Sequence, residues 1–214
     1  MKVVRLIWLD LDTVRCFRKE AEASVGAEAL AKSRRFRQEA DQLRSLGGAY
    51  LIRRFVGPAE TIRRTEKGKP LAEHIFFNLS HAGRRIGLAL AETAVGLDLE
   101  PQSAAPGAAG GPDGSGQDPA ERQALKAFCL SEKEQLSGED FLSLFVSKEA
   151  LVKACGSGLP DDIDRVPALP LNGPVSYEGQ LYFRHQYRQE DEIVSVCLHQ
   201  YDFMIREETI HAIR

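Results

Sequence analysis

A segment near the middle of the chain, Pro101 to Pro119, has a sequence that cannot support a packed element. It reads PQSAAPGAAGGPDGSGQDP and contains almost no large apolar side chain. Its many Gly and Pro residues interrupt helices and strands, and it has nothing to bury. We therefore expect a mobile loop or linker here, with the ordered elements in two groups on either side of it.

The group before this segment begins with a strand and a helical region. Residues 3–9 are mainly apolar and predict a buried strand. The stretch from Glu20 to Phe55 carries Ala, Leu, Arg and Glu at helical spacing, which predicts two helices. Further strands with short polar turns are predicted at 75–79, 85–91 and 94–99. We expect these three strands to form an antiparallel meander.

The group after the segment repeats the order of helices followed by strands. A helix is predicted from Ala120 to Phe128, and Ser131 with Glu134 three positions later predicts a capping box. A longer helix is predicted to begin near Phe141 and to end at Cys155-Gly156, where the sequence GSGLP supplies stop signals. A region rich in strands follows from about Val175 to Ile205.

The repeated order predicts an α+β fold with two similar parts. We place an N-terminal α+β half at 1–105, a loop rich in Gly and Pro at 106–119, and a C-terminal α+β half at 120–214. The stretches FFNLSHAGRRIGLAL and LYFRHQYRQEDEIVSVCLHQ occupy corresponding places, each as strand, polar turn and strand. Their residue identity is weak, so coincidence of two ordinary halves stays open beside duplication.

The composition excludes several classes of protein. The chain has 28 Lys and Arg against 31 Asp and Glu, and this formal charge of −3 argues against general nucleic-acid binding. Arg5 and Asp10 interrupt the first apolar stretch, so neither a signal peptide nor a membrane span is predicted, and we expect a cytoplasmic location. The four Cys residues have no CxxC spacing, which favours free thiols over zinc ligands or disulfides.

Acidic residues at the end of one predicted strand and within one predicted helix indicate a metal and phosphate site. Asp98 and Glu100 are two positions apart, so a strand projects both from one face. Glu149 and Lys153 are one turn apart on one side of a helix. Three carboxylates suit a magnesium ion and the ammonium suits a phosphate. Taken separately, each pair also fits a solvated strand end or an ordinary surface-helix ion pair.

Four segments carry a resemblance to a known family. They are GKP at 68–70, FNLSHAG at 77–83, VGLDLEP at 95–101, and FCLSEKE with LFVSKEALVKACGSGL at 128–134 and 144–159. In this order the chain from about Lys32 to Leu159 resembles the 4'-phosphopantetheinyl transferases of the long, single-chain type. The resemblance implies a pseudo-dimer of two similar α+β halves with the active site at their interface. It also implies transfer of the phosphopantetheine group of coenzyme A to a serine hydroxyl of a carrier protein, with release of adenosine 3',5'-bisphosphate.

The resemblance further assigns roles to individual residues. Asp98, Glu100 and Glu149 match the carboxylates that hold magnesium, or manganese in its place, against the coenzyme A pyrophosphate. Lys153 matches a lysine that stabilises the leaving group or the transferring phosphoryl group. Glu149, or a water that it positions, is the candidate base for the carrier serine. Contacts to the nucleotide are implied for Lys32, Arg44, Ser45, Lys69, Ser80 and His81, the last two at the 3'-phosphate. Ser80 and His81 alone also fit an ordinary hairpin turn.

The implied partner is an apo acyl or peptidyl carrier protein, with no nucleic acid and no membrane. Because one chain supplies both halves, we expect a monomer. Carrier proteins are commonly acidic near the modified serine, which calls for a basic docking surface. The cluster Lys32, Arg34, Arg35, Arg37 and Arg44 is a candidate, and an ordinary charged helix face stays equally open. The sequence leaves the choice among fatty acid, polyketide, non-ribosomal peptide and siderophore synthesis undecided.

Two other classes of function stay open from the sequence. A non-catalytic module that binds coenzyme A or a carrier protein would keep the fold without turnover. Retention of Asp98, Glu100, Glu149 and Lys153 argues against this class. A metal-dependent phosphohydrolase acting on nucleotides would require a site that activates free water as the acceptor.

Overall fold

The computed structural model describes residues 1–58, 61–102 and 119–211 and has an α+β architecture, as the sequence predicted. It divides into two compact units. The first unit contains Lys2–Ala94 and the chain from Met204 onward, and the second contains Val95–Phe203 together with Met1. This division differs from the predicted one, since the strand after Ala94 belongs with C-terminal elements. The predicted loop at 106–119 lies, except for its last residue, outside the described residues.

The first unit opens with the predicted strand and continues with helices. Strand β1 is Lys2–Asp10, and the helices are α1 (Leu11–Cys16), α2 (Arg18–Ser24), α3 (Ala27–Arg34) and α4 (Glu39–Phe55). The region between Glu20 and Phe55 therefore contains parts of three helices, and the prediction of two was wrong. Val25 and Gly26 both have extended backbone dihedrals, which separate α2 from α3.

Four strands complete the sequence of the first unit before Val95. They are β2 (Arg63–Arg64), β3 (Pro70–Leu71), β4 (Phe76–Ala82) and β5 (Arg85–Ala91). Strands β2 and β3 form a small antiparallel sheet of their own. Strands β4 and β5 form an antiparallel hairpin, as predicted, with His81 opposite Ile86 and Leu79 opposite Leu88.

The second unit contains the remaining helices and most of the remaining strands. In chain order they are β6 (Val95–Pro101), α5 (Pro119–Cys129), α6 (Glu132–Gln135), α7 (Phe141–Cys155), a 3-10 turn (Ile163–Arg165), β7 (Gly173–Tyr177), β8 (Gln180–Gln189) and β9 (Glu192–His199). Strand β10 (Phe203–Ile210) then leads the chain back into the first unit. The predicted capping box of Ser131 and Glu134 is confirmed. Helix α7 begins after the N-cap Asp140 and ends at Gly156 in the left-handed conformation, also as predicted.

Each unit contains a four-stranded sheet. The strand order is β10-β1-β5-β4 in the first unit and β6-β9-β8-β7 in the second. The predicted meander of three strands was therefore wrong in its last member, because β6 pairs antiparallel with β9 and not with β5. Residues Val95–Leu99 of β6 and Ile193–Leu198 of β9 are buried, so both strands lie in the interior of the second unit. Hydrophobic alternation identifies a strand but does not identify its partner.

Helix α4 packs against the first sheet through two glycines. A Cβ atom at Gly47 would lie 2.5 Å from Ile86 Cδ1, and one at Gly48 would lie 2.7 Å from Leu79 Cδ2. The glycines therefore let the helix axis approach β4 and β5 more closely than larger residues would allow. Leu43, Leu46 and Leu51 of α4 are buried in the same core.

Helix α7 approaches strand β6 of the second unit even more closely, at Gly96. A Cβ atom there would lie 2.0 Å from the carbonyl oxygen of Ala150 and 2.4 Å from the backbone nitrogen of Ala154. Both neighbours are backbone atoms, so they cannot turn aside as a flexible side chain could. Gly96 therefore sets the distance between the strand that carries Asp98 and the helix that carries Glu149.

Within the described residues, no helix combines the length and the apolar character needed to cross a membrane.

We predict that Gly96→Ala lowers the free energy of unfolding by at least about 2 kcal/mol, because the new methyl group must displace the α7 backbone. Urea denaturation followed by circular dichroism measures this change. Ser176→Ala, on the exposed part of edge strand β7, is the control and should leave the stability near that of the wild type. An unchanged midpoint for Gly96→Ala would contradict the close packing of α7 on β6.

Candidate functional site

The predicted acidic residues of the second unit lie together where α7 packs on β6. Gly96 faces α7, and Asp98 and Glu100 follow it at alternate positions, so all three lie on the face of β6 that meets the helix. Glu149 and Lys153 are one turn apart on α7. We refer to Asp98, Glu100, Glu149 and Lys153 as the acidic cluster.

Lys153 connects the strand to the helix within the acidic cluster. Its Nζ donates a hydrogen bond to Asp98 Oδ1 at 2.5 Å and lies 3.8 Å from Glu149 Oε2. Asp98 is only 3% exposed, so this ion pair is shielded from solvent on the carboxylate side. The sequence predicted that these three residues share a site, and the structure brings them into contact.

Burial and the charge of neighbouring carboxylates raise the pKa of Glu100 and of Glu149. Burial and then the charge of Asp98 raise the pKa of Glu100 to about 7, while Lys153 opposes the change. Burial and Asp98 also raise the pKa of Glu149, again against the effect of Lys153. One ammonium therefore does not neutralise three carboxylates, and the cluster favours a further positive charge.

The donor set of the cluster suits a magnesium ion. Carboxylate oxygens are the ligands that magnesium prefers, and a bound divalent cation would relieve the repulsion that raises the pKa of Glu100. Asp98, Glu100 and Glu149 are the residues that would hold it, and their side chains would have to move closer together to do so. In the positions that the described residues occupy, no three or more His, Cys, Asp or Glu side chains are gathered in a geometry that could hold a metal ion.

Lys148, the neighbour of Glu149, points away from the acidic cluster into the core. Its Nζ lies 2.7 Å from Glu134 Oε2 and donates to the carbonyl oxygens of Ile163, Asp164 and Val166 at 3.1, 3.2 and 2.6 Å. Lys148 is fully buried. Burial lowers the pKa of Lys148, whereas Glu134 opposes that change. Lys148 thus fixes the segment that follows α7 and has a structural role.

Glu134 receives hydrogen bonds from three sides. Its Oε1 accepts from the backbone N–H of Ala168 at 2.6 Å, and its Oε2 accepts from Ser131 N–H at 2.9 Å as well as from Lys148. Burial by itself would raise the pKa of Glu134, but the bonds from Lys148, Ala168 and Ser131 outweigh burial and lower it. The capping box found in the sequence is therefore part of a larger buried network.

Arg184 is a second buried cation, and the sequence analysis missed it. Its guanidinium donates to the carbonyl oxygens of Pro167 at 2.9 Å, of Pro170 at 3.0 Å, and of Ala168. Arg184 and Lys148 together hold the chain from 163 to 170 against α7 and β8. A cation directly after the run Leu181–Phe183 was the available signal, although strand ends and edges often carry such residues.

Polar residues that the sequence analysis also missed lie beside Asp98 on the same sheet. In the strand register Asp98 is opposite Ser195, and Ser195 is opposite Gln186. Ser147 of α7 donates to Gln186 Oε1 at 2.6 Å. Ser195 is fully buried, and its hydroxyl has no hydrogen-bond partner among the described residues. A polar row therefore extends from Asp98 across the buried sheet under α7.

The residues implied for nucleotide binding all belong to the first unit. Ser80 and His81 are consecutive in β4, so they project from opposite faces, with Ser80 buried and His81 exposed. Arg44 and Ser45 lie in α4, and Arg44 donates to the carbonyl oxygen of Gly83 in the turn after His81. The remaining two are on other elements: Lys32 is in the last turn of α3, and Lys69 precedes β3.

Part of the basic cluster is engaged in local ion pairs. Arg34 lies 3.4 Å from Glu22, and Arg44 lies 2.6 Å from Asp41. Lys32, Arg35 and Arg37 are exposed. These pairs are those of an ordinary charged helix face, and the use of the cluster as a docking surface stays a prediction.

Comparison with models of protein families found no match, and comparison with curated proteins found none either.

We predict that Lys148→Met lowers the free energy of unfolding by about 3–5 kcal/mol, because it leaves the Glu134 carboxylate buried without its cation. Thermal or urea denaturation measures the loss. The control is Lys133→Met, which changes an exposed lysine on α6 and should have little effect. If Lys148→Met were as stable as the control, the buried ion pair would not stabilise the unit.

The raised pKa of Glu100 predicts a pH-dependent stability in the absence of divalent cations. The ordinary pKa of Glu100 is 4.5. Between this pH and a pH of about 7, the Glu100 carboxyl keeps a proton in the folded protein that it releases in the unfolded chain. The contribution of Glu100 to the free energy of unfolding therefore falls as pH rises through this window. Relative to the wild type, Glu100→Gln should gain stability over the same interval.

Denaturation at a series of pH values with a chelator present tests this prediction. Glu139→Gln, an exposed residue before α7, is the control and should follow the wild type. A constant difference between wild type and Glu100→Gln across the window would show that Glu100 titrates normally.

Proposed function

We propose that this chain is a magnesium-dependent 4'-phosphopantetheinyl transferase. It would move the phosphopantetheine group of coenzyme A to a serine hydroxyl of an apo acyl or peptidyl carrier protein and release adenosine 3',5'-bisphosphate. The observation that carries the proposal is the contact among Asp98, Glu149 and Lys153, with Glu100 on the same strand face. The family resemblance assigns roles to the same four residues.

We also propose that the two units are the halves of a pseudo-dimer. Each unit has a four-stranded sheet, and in each a helix approaches that sheet at glycine residues. In the first unit these are Gly47 and Gly48 of α4, and in the second it is Gly96 of β6. This similarity of construction supports duplication.

The acidic cluster would bind the pyrophosphate of coenzyme A through a cation and an ammonium. Asp98, Glu100 and Glu149 would hold magnesium, which would polarise the phosphoryl group and offset charge on the leaving bisphosphate. Lys153 already lies between Asp98 and Glu149, within reach of both. Its ammonium can therefore turn toward a phosphate oxygen while it remains in the same cluster.

The chemical step would be an in-line displacement at the β-phosphorus of coenzyme A. The serine oxygen of the carrier protein forms the new bond, and the bond to adenosine 3',5'-bisphosphate breaks with its electron pair leaving on that product. Glu149, or a water that it holds, would accept the serine proton. Glu149 is also one of the proposed magnesium ligands, and a carboxylate bound to a metal is a poor base, so the water that it holds has comparable weight as the acceptor.

The first unit would supply the donors for the nucleotide. Hydroxyl, imidazole and cationic groups suit phosphate oxygens through hydrogen bonds and charge. The proposed set is Lys32, Arg44, Ser45, Lys69, Ser80 and His81. A monomeric enzyme in the cytoplasm, with no nucleic-acid or membrane partner, belongs to the same proposal.

The test is intact-mass spectrometry of apo carrier proteins of several types incubated with this protein, coenzyme A and magnesium. We expect a gain of about 340 Da, the mass of one phosphopantetheine group, and no gain with chelator. Asp98→Asn should lower the rate at least about 100-fold, since it removes a charge that would hold the cation. Glu192→Gln removes an acid whose charge also acts on Glu100, and it should keep a near wild-type rate.

Three outcomes would contradict the proposal. A folded Asp98→Asn protein with near wild-type turnover would show that the acidic cluster is not needed for catalysis. Binding of coenzyme A without transfer to any carrier protein would favour a non-catalytic binding module. Release of the bisphosphate in the absence of a carrier protein would favour a phosphohydrolase.

A further inference from the structure

The hydroxyl group of Ser195 is buried in the interior of the second unit. Ser195 lies in the middle of β9, is fully buried, and its Oγ has no hydrogen-bond partner in the part of the chain that the structure describes. Its neighbours on the same face of β9 are Ile193 and Cys197, which are also buried. A hydroxyl that loses its contact with water without gaining a hydrogen bond destabilises the folded protein. Alanine would therefore suit this position better in the resting structure.

Ser195 lies directly across the sheet from Asp98. The two residues are paired in the antiparallel register of β9 and β6, so both side chains project from the face of the sheet that meets α7. The Cβ atoms of directly opposite residues are about 4.5–5.5 Å apart. A serine hydroxyl can also rotate about χ1 among staggered positions. The Asp98 carboxylate is therefore within reach of the Ser195 hydroxyl once that hydroxyl turns toward it.

Asp98 has a strong donor in the resting structure, namely Lys153. The Lys153 Nζ donates to Asp98 Oδ1 at 2.5 Å, and Asp98 is buried. The Lys153 side chain itself is 29% exposed, so it has room to move. In the proposed function this ammonium turns toward a phosphate oxygen. Asp98 then loses a charge-assisted hydrogen bond while it stays buried, and such a loss is costly unless another donor replaces it.

Ser147 is a second buried serine of the same polar row, and its hydroxyl has an acceptor. It lies on α7, is fully buried, and donates at 2.6 Å to Oε1 of Gln186, the residue opposite Ser195 on β8. Burial is thus the same for the two serines, whereas the hydrogen bonding differs. The resting structure accounts for the hydroxyl of Ser147 but gives no role to that of Ser195.

We infer that Ser195 is a positioning residue for Asp98. Lys153 leaves Asp98 when a bound cation repels it or a phosphate oxygen attracts it. The Ser195 hydroxyl then rotates and donates to the Asp98 carboxylate, which keeps that carboxylate oriented toward the cation. The inference rests on the proposed function for the events that draw Lys153 away. Ser195 acts only through Asp98 and makes no contact with the substrate.

A double-mutant cycle with Lys153 tests this exchange of donors without substrate or cation. Thermal midpoints would be measured with a chelator present for the wild type, Ser195→Ala, Lys153→Met and the double variant. With Lys153 in place, Ser195→Ala should raise the midpoint, because it removes an unsatisfied hydroxyl. In the Lys153→Met background the same substitution should lower the midpoint, because the hydroxyl has become a donor to Asp98. Equal changes in the two backgrounds, or none, would overturn the inference.

Binding of manganese provides a second measurement, which requires no Lys153 variant. Electron paramagnetic resonance would measure free Mn²⁺ during titration of the wild type, Ser195→Ala and Ser147→Ala. Ser195→Ala should bind Mn²⁺ about fivefold more weakly, the size expected for one lost hydrogen bond to a ligand carboxylate. An affinity equal to that of the wild type would overturn the inference.

Ser147→Ala is the matched control, because it removes an equally buried hydroxyl from the same polar row. It leaves Gln186 Oε1 without its donor, so it should lower the thermal midpoint and leave the affinity for Mn²⁺ unchanged. The two serines should therefore respond in opposite directions in stability, and only Ser195 should affect the cation. If Ser147→Ala weakened Mn²⁺ binding as much as Ser195→Ala, the effect would be general to the row and the inference would be overturned.

The two measurements separate failure of this inference from failure of the proposed function. A wild type that binds no Mn²⁺ and transfers no phosphopantetheine would refute the proposed function. The thermal midpoints of the cycle would still decide whether Ser195 serves Asp98. In a wild type that does transfer phosphopantetheine, the absence of the reversal of sign would overturn the inference alone.

Discussion

The candidate site depends on the absence of a side chain at Gly96. Because the backbone of α7 lies where a Cβ of residue 96 would be, the carboxylates of β6 reach the helix that carries Glu149 and Lys153. Any larger residue would push the helix outward and lengthen the contact between Lys153 and Asp98. The electrostatic character of the site, including the raised pKa of Glu100, therefore depends on the absence of a side chain at Gly96, two residues before Asp98.

The position of α7 is also fixed from its other side by buried charges. Lys148 is next to Glu149 in the sequence, yet it faces the core, pairs with Glu134 and holds three carbonyl groups. Lys148 thus anchors the helix, whereas the next residue, Glu149, belongs to the acidic cluster. A buried ion pair adds little net stability relative to apolar packing, but it is costly to break, which restricts the helix to one orientation.

Local signals in the sequence predicted local features well. Ser131 with Glu134, and Gly156 after α7, predicted helix ends that the structure confirms. The spacing of Asp98 and Glu100, and of Glu149 and Lys153, predicted which side chains share a face. Long-range facts were not accessible in this way: the pairing of β6 with β9, and the carbonyl partners of Arg184 and Arg44, depend on which segments meet in three dimensions. Periodicity carries no information about such partners.

The path of β10 has a consequence for synthesis on the ribosome. This strand completes the sheet of the first unit beside β1, yet it follows every element of the second unit in the sequence. All of Val95–Phe203 is therefore synthesised before the first unit receives its last strand, and one edge of β1 stays unpaired until then. An exposed edge of this kind is prone to wrong pairing with another nascent chain, so this interval is when the protein is most vulnerable to aggregation.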